Sequence, residues 1–116
     1  MGIRRVVPDF QSSDLRSSVE FYSGLLGLEQ VMDHGWIVTL ADPSDSTRQV
    51  SVVSHDASAS VMPDVSIEVD DVDAVYAMAK QLGAEIVHPL TDEAWGVRRF
   101  FVKDPDGHVL NILGHQ

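Results

Sequence analysis

Cysteine is absent from the 116 residues, which excludes disulfides, thiolate metal sites and a cysteine nucleophile and suits a reducing compartment. No apolar run is long enough to span a bilayer, and no block of like charge or low-complexity tract interrupts the chain. No membrane partner is expected. Positive charge is scarce, since 8 Lys and Arg stand against 18 Asp and Glu and leave a formal charge of −10. Nucleic acid would be repelled, whereas a cationic ligand would be drawn in. No serine or threonine lies in a nucleophile motif and no glycine-rich phosphate loop follows a strand, so hydrolase and nucleotide-binding readings drop out. The start Met1-Gly2-Ile3-Arg4-Arg5 has two positive charges without an apolar stretch after them, and a cytoplasmic location is expected.

What is present is a globular composition, 44% hydrophobic and 22% charged, in a length that makes residues 1–116 one domain burying roughly two-thirds of its unfolded surface. The spacing predicts a helix opening at Ser13-Asp14-Leu15, where Asp14 caps free N–H groups and Leu15, Val19, Tyr22 and Leu26 share a face. Gly27 stops it, with Leu28 folding back on the last turn. A second helix follows the same grammar: Asp70-Asp71 as cap, Val72, Val75, Ala79 and Leu82 as stripe, Gly83 as stop. Strand-like runs flank both helices, Ile3 to Val7 and Leu28 to Met32 for the first, Val65 to Val69 and Ala84 to Val87 for the second.

The parallel extends further. Gly35 to Leu40 and Gly96 to Val102 read as third strands, ending in Asp42-Pro43 and Asp104-Pro105, and Val50 to Val53 and Val109 to Leu113 read as fourth strands. Matching stops, turns and element order at an offset of about sixty residues indicate an internal duplication. Module one spans about 1–60 and module two about 61–116. The expected fold class is α+β: two tandem βαβββ modules forming a curved mixed sheet with helices outside and a concave inner cup.

Asp14-Leu15, Ser18, Phe21-Tyr22, Leu26-Gly27-Leu28, Val69-Asp70-Asp71-Val72, Leu82-Gly83 and Phe101-Val102-Lys103-Asp104-Pro105-Asp106-Gly107 together resemble the vicinal oxygen chelate superfamily. That group includes glyoxalase I, extradiol dioxygenases, fosfomycin-modifying enzymes and bleomycin resistance proteins. The resemblance covers essentially the whole chain and implies paired modules around a cup, commonly in a homodimer. It also implies a divalent metal held by His, Gln or Glu from the first and fourth strands of each module. Counted from the helix caps and from Asp106-Gly107, those positions fall on Val7, Asp64, Ser51 and Asn111, a set with one carboxylate and no imidazole that suits no divalent metal. No metal and no cofactor are expected. Two-residue register shifts bring in Asp9 or Glu68 instead.

Trp36 and Trp95 begin or just precede the third strands beside Gly35 and Gly96. They are candidate aromatic walls for a planar or cationic ligand, or alternatively core or dimer-contact residues. Asn111, Ser51, Glu68 and Arg99 complete the candidate ligand-binding set. Arg98 and Arg99 must face opposite sides of their strand. Glu68, alternating with the apolar Ile67 and Val69, faces inward as an acid or base or borders solvent. The five histidines share no ligand spacing and read as exposed loop residues. The leading expectation is a metal-independent small-molecule-binding protein akin to the bleomycin resistance type. The alternative is a metal-dependent lyase, isomerase or dioxygenase with shifted ligands such as Asp9, Asp64 or Glu68. A third reading is a vestigial cup in a domain that serves assembly.

Overall fold

The computed structural model describes residues 2–115; Met1 and Gln116 lie outside them. The elements run β1 (Ile3–Gln11), α1 (Leu15–Leu26), β2 (Glu29–Asp33), β3 (Ile37–Asp42), β4 (Asp45–Val53), β5 (Val65–Val69), α2 (Val72–Gln81), β6 (Ile86–Asp92), β7 (Val97–Lys103) and β8 (Val109–His115). All eight strands join one sheet in the order β2-β3-β4-β1-β5-β8-β7-β6. Each module closes on a parallel pair, β1 with β4 and β5 with β8, and the modules meet where β1 runs antiparallel to β5. The α+β class and the two βαβββ modules are therefore as expected.

Local chemistry sets the helix limits. Asp14 accepts the Ser17 N–H at 3.2 Å and Asp71 accepts the Ala74 N–H at 3.1 Å, each occupying a donor that the first turn leaves free and each worth about 1 kcal/mol. Gly27 caps α1 and Gly83 follows the Leu82 cap of α2, both in the left-handed conformation. Leu15, Val19 and Tyr22 pack with Leu28 against Val38, Leu40 and Val52, while Val72, Val75 and Ala79 pack with Tyr76 against Phe100, Val102 and Ile112. The last member of each stripe departs from expectation: Leu26 is 60% exposed and Leu82 76%. A helical stripe is buried only where sheet lies beneath it, and α1 rests on β3 and β4, α2 on β6, β7 and β8. The outer face of central β1 stays open, with Val6 and Phe10 exposed.

Strand β1 outruns its expected end at Val7 by four residues, to Gln11. Pro8, which lacks an N–H, lies where β1 changes partners. Up to Pro8 the strand pairs with β5, and from Asp9 to Gln11 it pairs with β4. That extension decides the inner surface of the cup.

Candidate ligand-binding cup

Side chains along a strand alternate between faces, so Arg5, Val7 and Asp9 of β1 point to one side, away from the helices. The pairing Asp9↔Ser51 joins β1 to β4, Thr39↔Ser51 joins β3 to β4, and Ser66↔Asn111 joins β5 to β8. Thr39, Ser51, Asp9, Ser66 and Asn111 thus form a polar row across the middle of the sheet, and all five line one cup. Val7, Pro63, Trp36 and Trp95 also line the cup. The register corrects two of the expected positions. Asp9, not Val7, lies beside Ser51, and Ser66, not Asp64, lies beside Asn111. Asp64 precedes β5 and accepts the Val109 N–H at 2.8 Å.

The row is held by short hydrogen bonds. Thr39 and Ser51 hydroxyls meet at 2.7 Å, Ser66 Oγ donates to Asp9 Oδ2 at 2.6 Å, and Asn111 Nδ2 donates to Ser66 Oγ at 3.0 Å. Burial pushes the Asp9 carboxyl up to about 7, against the Ser66 hydrogen bond and the Arg5 charge, with Asp56 and Asp64 adding repulsion. Among the described residues, Asp9 Oδ1, Asn111 Oδ1 and Trp95 Nε1 are buried side-chain atoms without a partner.

Two tryptophans enter the cup from matching places. Gly35 and Gly96, at φ of 83° and 99°, make the left-handed turns next to them that a side chain would strain. Trp36 and Trp95 meet edge to face at 5.5 Å. His34 lies 6.3 Å from Trp36 and 5.6 Å from Trp95, and His55 lies 6.5 Å from Trp36. The indole of Trp95 already carries a cation, since the Arg99 guanidinium sits 4.9 Å from its centroid and 4.7 Å from that of Phe101.

Arg99, 1% exposed, is committed to the protein. It donates through both terminal nitrogens to Asp56, through Nη2 also to Ser58 and through Nε to Glu93 at 2.6 Å. His88 Nε2 lies 3.3 Å from the same Glu93 oxygen. Burial pushes the Asp56 carboxyl up, but its bonds to Arg99 and the Ser58 N–H outweigh this and hold it below the usual range. Arg98 faces the other way, toward Asp73 and Asp92. Glu68 faces the inner side but is paired with Arg5 at 2.6 Å and His115 at 2.9 Å; burial raises its carboxyl, and these two partners more than reverse that. Arg5 also donates to Gln49.

Sequence reasoning missed Asp56, Glu93 and His88, which come together only through folding. It also put all five histidines in exposed loops, yet His88 is a partly buried residue of β6, and His34 and His115 border the cup. Asp9 was the residue that a two-residue register shift from Val7 brings in, and the pairing Asp9↔Ser51 selects it.

The polar row does not fit a divalent metal. It offers one carboxylate, one amide and three hydroxyls that are already hydrogen-bonded, and among the described residues no group of three or more His, Cys, Asp or Glu can hold a metal ion.

Residues 3–112 match the family model described as Glyoxalase/Bleomycin resistance protein/Dioxygenase superfamily. The chain belongs to this superfamily. Solved structures agree in fold. A glyoxalase/bleomycin resistance protein/dioxygenase superfamily member from Vibrio splendidus 12B01 superposes with a TM-score of 0.72 at 20% identity, covering 97% of this chain and 99% of that one. A Streptomyces coelicolor methylmalonyl-CoA epimerase variant, in complex with 2-nitronate-propionyl-CoA, superposes at 0.69 with 18% identity, covering 98% and 99%. A Legionella pneumophila chain described as NAD-dependent benzaldehyde dehydrogenase superposes at 0.75 with 19% identity, covering 96% and 99%. At such identities the likeness is one of fold, and superfamily membership alone assigns no reaction. No protein of curated function matches the chain. No helix among the described residues is long and apolar enough to cross a membrane.

Proposed function

We propose that this glyoxalase-superfamily chain is a metal-independent, cytoplasmic binding protein that holds a flat small molecule in its cup, cations being favoured, with no resident cofactor and with neither nucleic acid nor membrane as partner. The observation that carries the reading is the pair Trp36 and Trp95, which meet at 5.5 Å where both line the cup. Indoles supply apolar area at little entropic cost, and the formal charge of −10 favours approach of a cation. Asn111 and Ser51 contribute polar contacts on the cup floor. Arg99 and Glu68 act by shaping the cup, since their own charges are matched inside the protein. Trp36 is the stronger candidate for ligand stacking, because Arg99 occupies one face of Trp95.

The test is a screen of flat compounds by intrinsic tryptophan fluorescence. A hit should lose on the order of 2 kcal/mol of affinity in Trp36→Ala, as anchor aromatics do, and added salt should trim association by less. A screen in which anions bind as well as cations, or hits that Trp36→Ala and Trp95→Ala leave unchanged, would count against the reading.

A homodimer belongs to the same proposal. Val6, Phe10, Phe21 and Leu25 are 51%, 46%, 59% and 64% exposed on the outer side of module one, and Phe10 and Phe21 both touch the Tyr22 ring. A patch of this kind on a small chain suits a second copy.

One observation favours a second reading as an enzyme. A carboxyl at about 7 suits general acid–base catalysis near neutral pH. Solvent deuterium entering a bound carbonyl compound with the wild type, and not with Asp9→Asn, would establish that reading over simple binding.

A further inference from the structure

We infer that Asp9, Ser66 and Asn111 form a head-group site for a ligand carrying two N–H donors on one planar group, such as an amidine or an amino-substituted nitrogen heterocycle. This rests on the reading of the cup as a small-molecule site and names the chemistry of its occupant. Asp9 is 7% exposed and Asn111 6%, and each leaves one side-chain oxygen without a partner.

The identity of those free atoms follows from the hydrogen-bond chain. Ser66 has a single hydroxyl proton, and it is given to Asp9 Oδ2 at 2.6 Å. Its oxygen must therefore accept from Asn111, which turns Nδ2 toward Ser66 at 3.0 Å and leaves Oδ1 as the free end of the amide. With Asp9 ionised, both free oxygens are acceptors. Most neighbouring protein donors are engaged, Arg5 with Glu68 and Gln49 and Arg99 with Asp56 and Glu93, while the Thr39–Ser51 bond uses one of that pair's two hydroxyl protons and Trp95 Nε1 has no partner. A ligand that parts the side chains shielding both atoms can supply the missing donors.

Charge narrows the class. A carboxylate or phosphate would oppose both oxygens, and an alcohol has one proton to give, whereas an amidine or amino heterocycle offers paired N–H groups on a flat frame that fits against Trp36. Such a group is a cation or a weak base and pairs best with ionised Asp9. Burial pushes the carboxyl up to about 7, so a cationic head group must displace its proton. The charged and titratable groups that bear on Asp9 are Arg5 on β1, Glu68 on β5, Asp64 before it, His115 on β8, Arg99 on β7, and Asp56 in the segment between β4 and β5. Of these, Arg5, Asp56 and Asp64 move its carboxyl. His34, by Trp36, faces the same cup.

The probes are benzamidine and 2-aminobenzimidazole, with quinoline as a flat body lacking paired donors and benzoate as the anion. Binding is read by tryptophan fluorescence and calorimetry. The expected result is tighter binding of the two paired-donor probes, weakened at least about tenfold by Asp9→Asn and by Asn111→Leu, with quinoline unaffected by either. Benzamidine affinity for the wild type should fall about tenfold per pH unit below 7, with proton release on binding, and Asp9→Asn should abolish the slope. Unchanged circular dichroism shows that the near-isosteric Asp9→Asn chain is folded, and the wild-type pH profile needs no variant. Benzoate binding as tightly as benzamidine, wild-type affinity in Asp9→Asn, or a flat pH profile would overturn the inference. If quinoline binds and paired donors add nothing, the head-group site fails and the cup stands. If no flat compound binds, both fail.

Discussion

Ser66 Oγ donates a 2.6 Å hydrogen bond to Asp9 Oδ2 across the seam where β1 of the first module meets β5 of the second. The bond joins equivalent places in the duplicated units, since Asp9 lies beside Ser51 as Ser66 lies beside Asn111. One position is a carboxylic acid and the other a hydroxyl, so an approximately symmetric scaffold carries an asymmetric cup.

The first consequence is a stability that depends on pH through Asp9. A carboxyl raised from 3.8 to about 7 keeps in the folded chain a proton that the unfolded chain gives up. Its stabilising share is therefore full below the unfolded value and is lost as pH climbs from about 4 to about 7, a swing on the order of 4 kcal/mol at most. Asp9→Asn should raise the melting temperature relative to the wild type at pH 8 and change it little at pH 4. Equal shifts at both pH values would show that Asp9 is not held neutral.

Arg99 leads to a second prediction. Replacing it with Met leaves Asp56 and Glu93 facing each other in the interior, a loss of about 3–5 kcal/mol that urea unfolding can measure. Amides of residues 54–64 should also exchange faster in this variant, because Arg99 ties Asp56 and Ser58 to β7. Asp56 adds a pH signature of the opposite sign to that of Asp9. Its carboxyl is held below 3.8, so its stabilising share is present above that value and is lost as pH falls through the lower folded one.

Purified protein is expected to carry no stoichiometric divalent metal, because the cup floor presents Asp9, Ser51, Ser66 and Asn111 and, among the described residues, no group of three or more His, Cys, Asp or Glu can hold a metal ion. Elemental analysis finding one tightly held zinc, nickel, manganese or iron per chain would contradict this.

Light scattering at micromolar concentration should give the mass of a homodimer, and Phe21→Glu should shift it toward monomer while leaving circular dichroism intact. Phe21 is 59% exposed, so the charge costs the monomer little. A wild-type monomer would remove the second copy from the proposal.

The sequence by itself determined the helices, the order of strands and the duplication, because caps, glycine stops and alternation are local: Asp14 and Asp71 cap the helices for which their positions were read. It also required Arg98 and Arg99 to part to opposite faces. The tertiary structure decided which of them went inside, because Val97, Phe100, Phe101 and Val102 put apolar neighbours on both sides of that strand. Asp56 and Glu93, 43 and 6 residues away from Arg99 in the chain, settled the choice by matching its charge. Asp9 follows the same logic. Its face was legible from Val7, but its place on the cup floor depended on β1 exchanging β5 for β4 at Pro8. Pairing between distant strands is a long-range event that a local reading of the chain cannot anticipate.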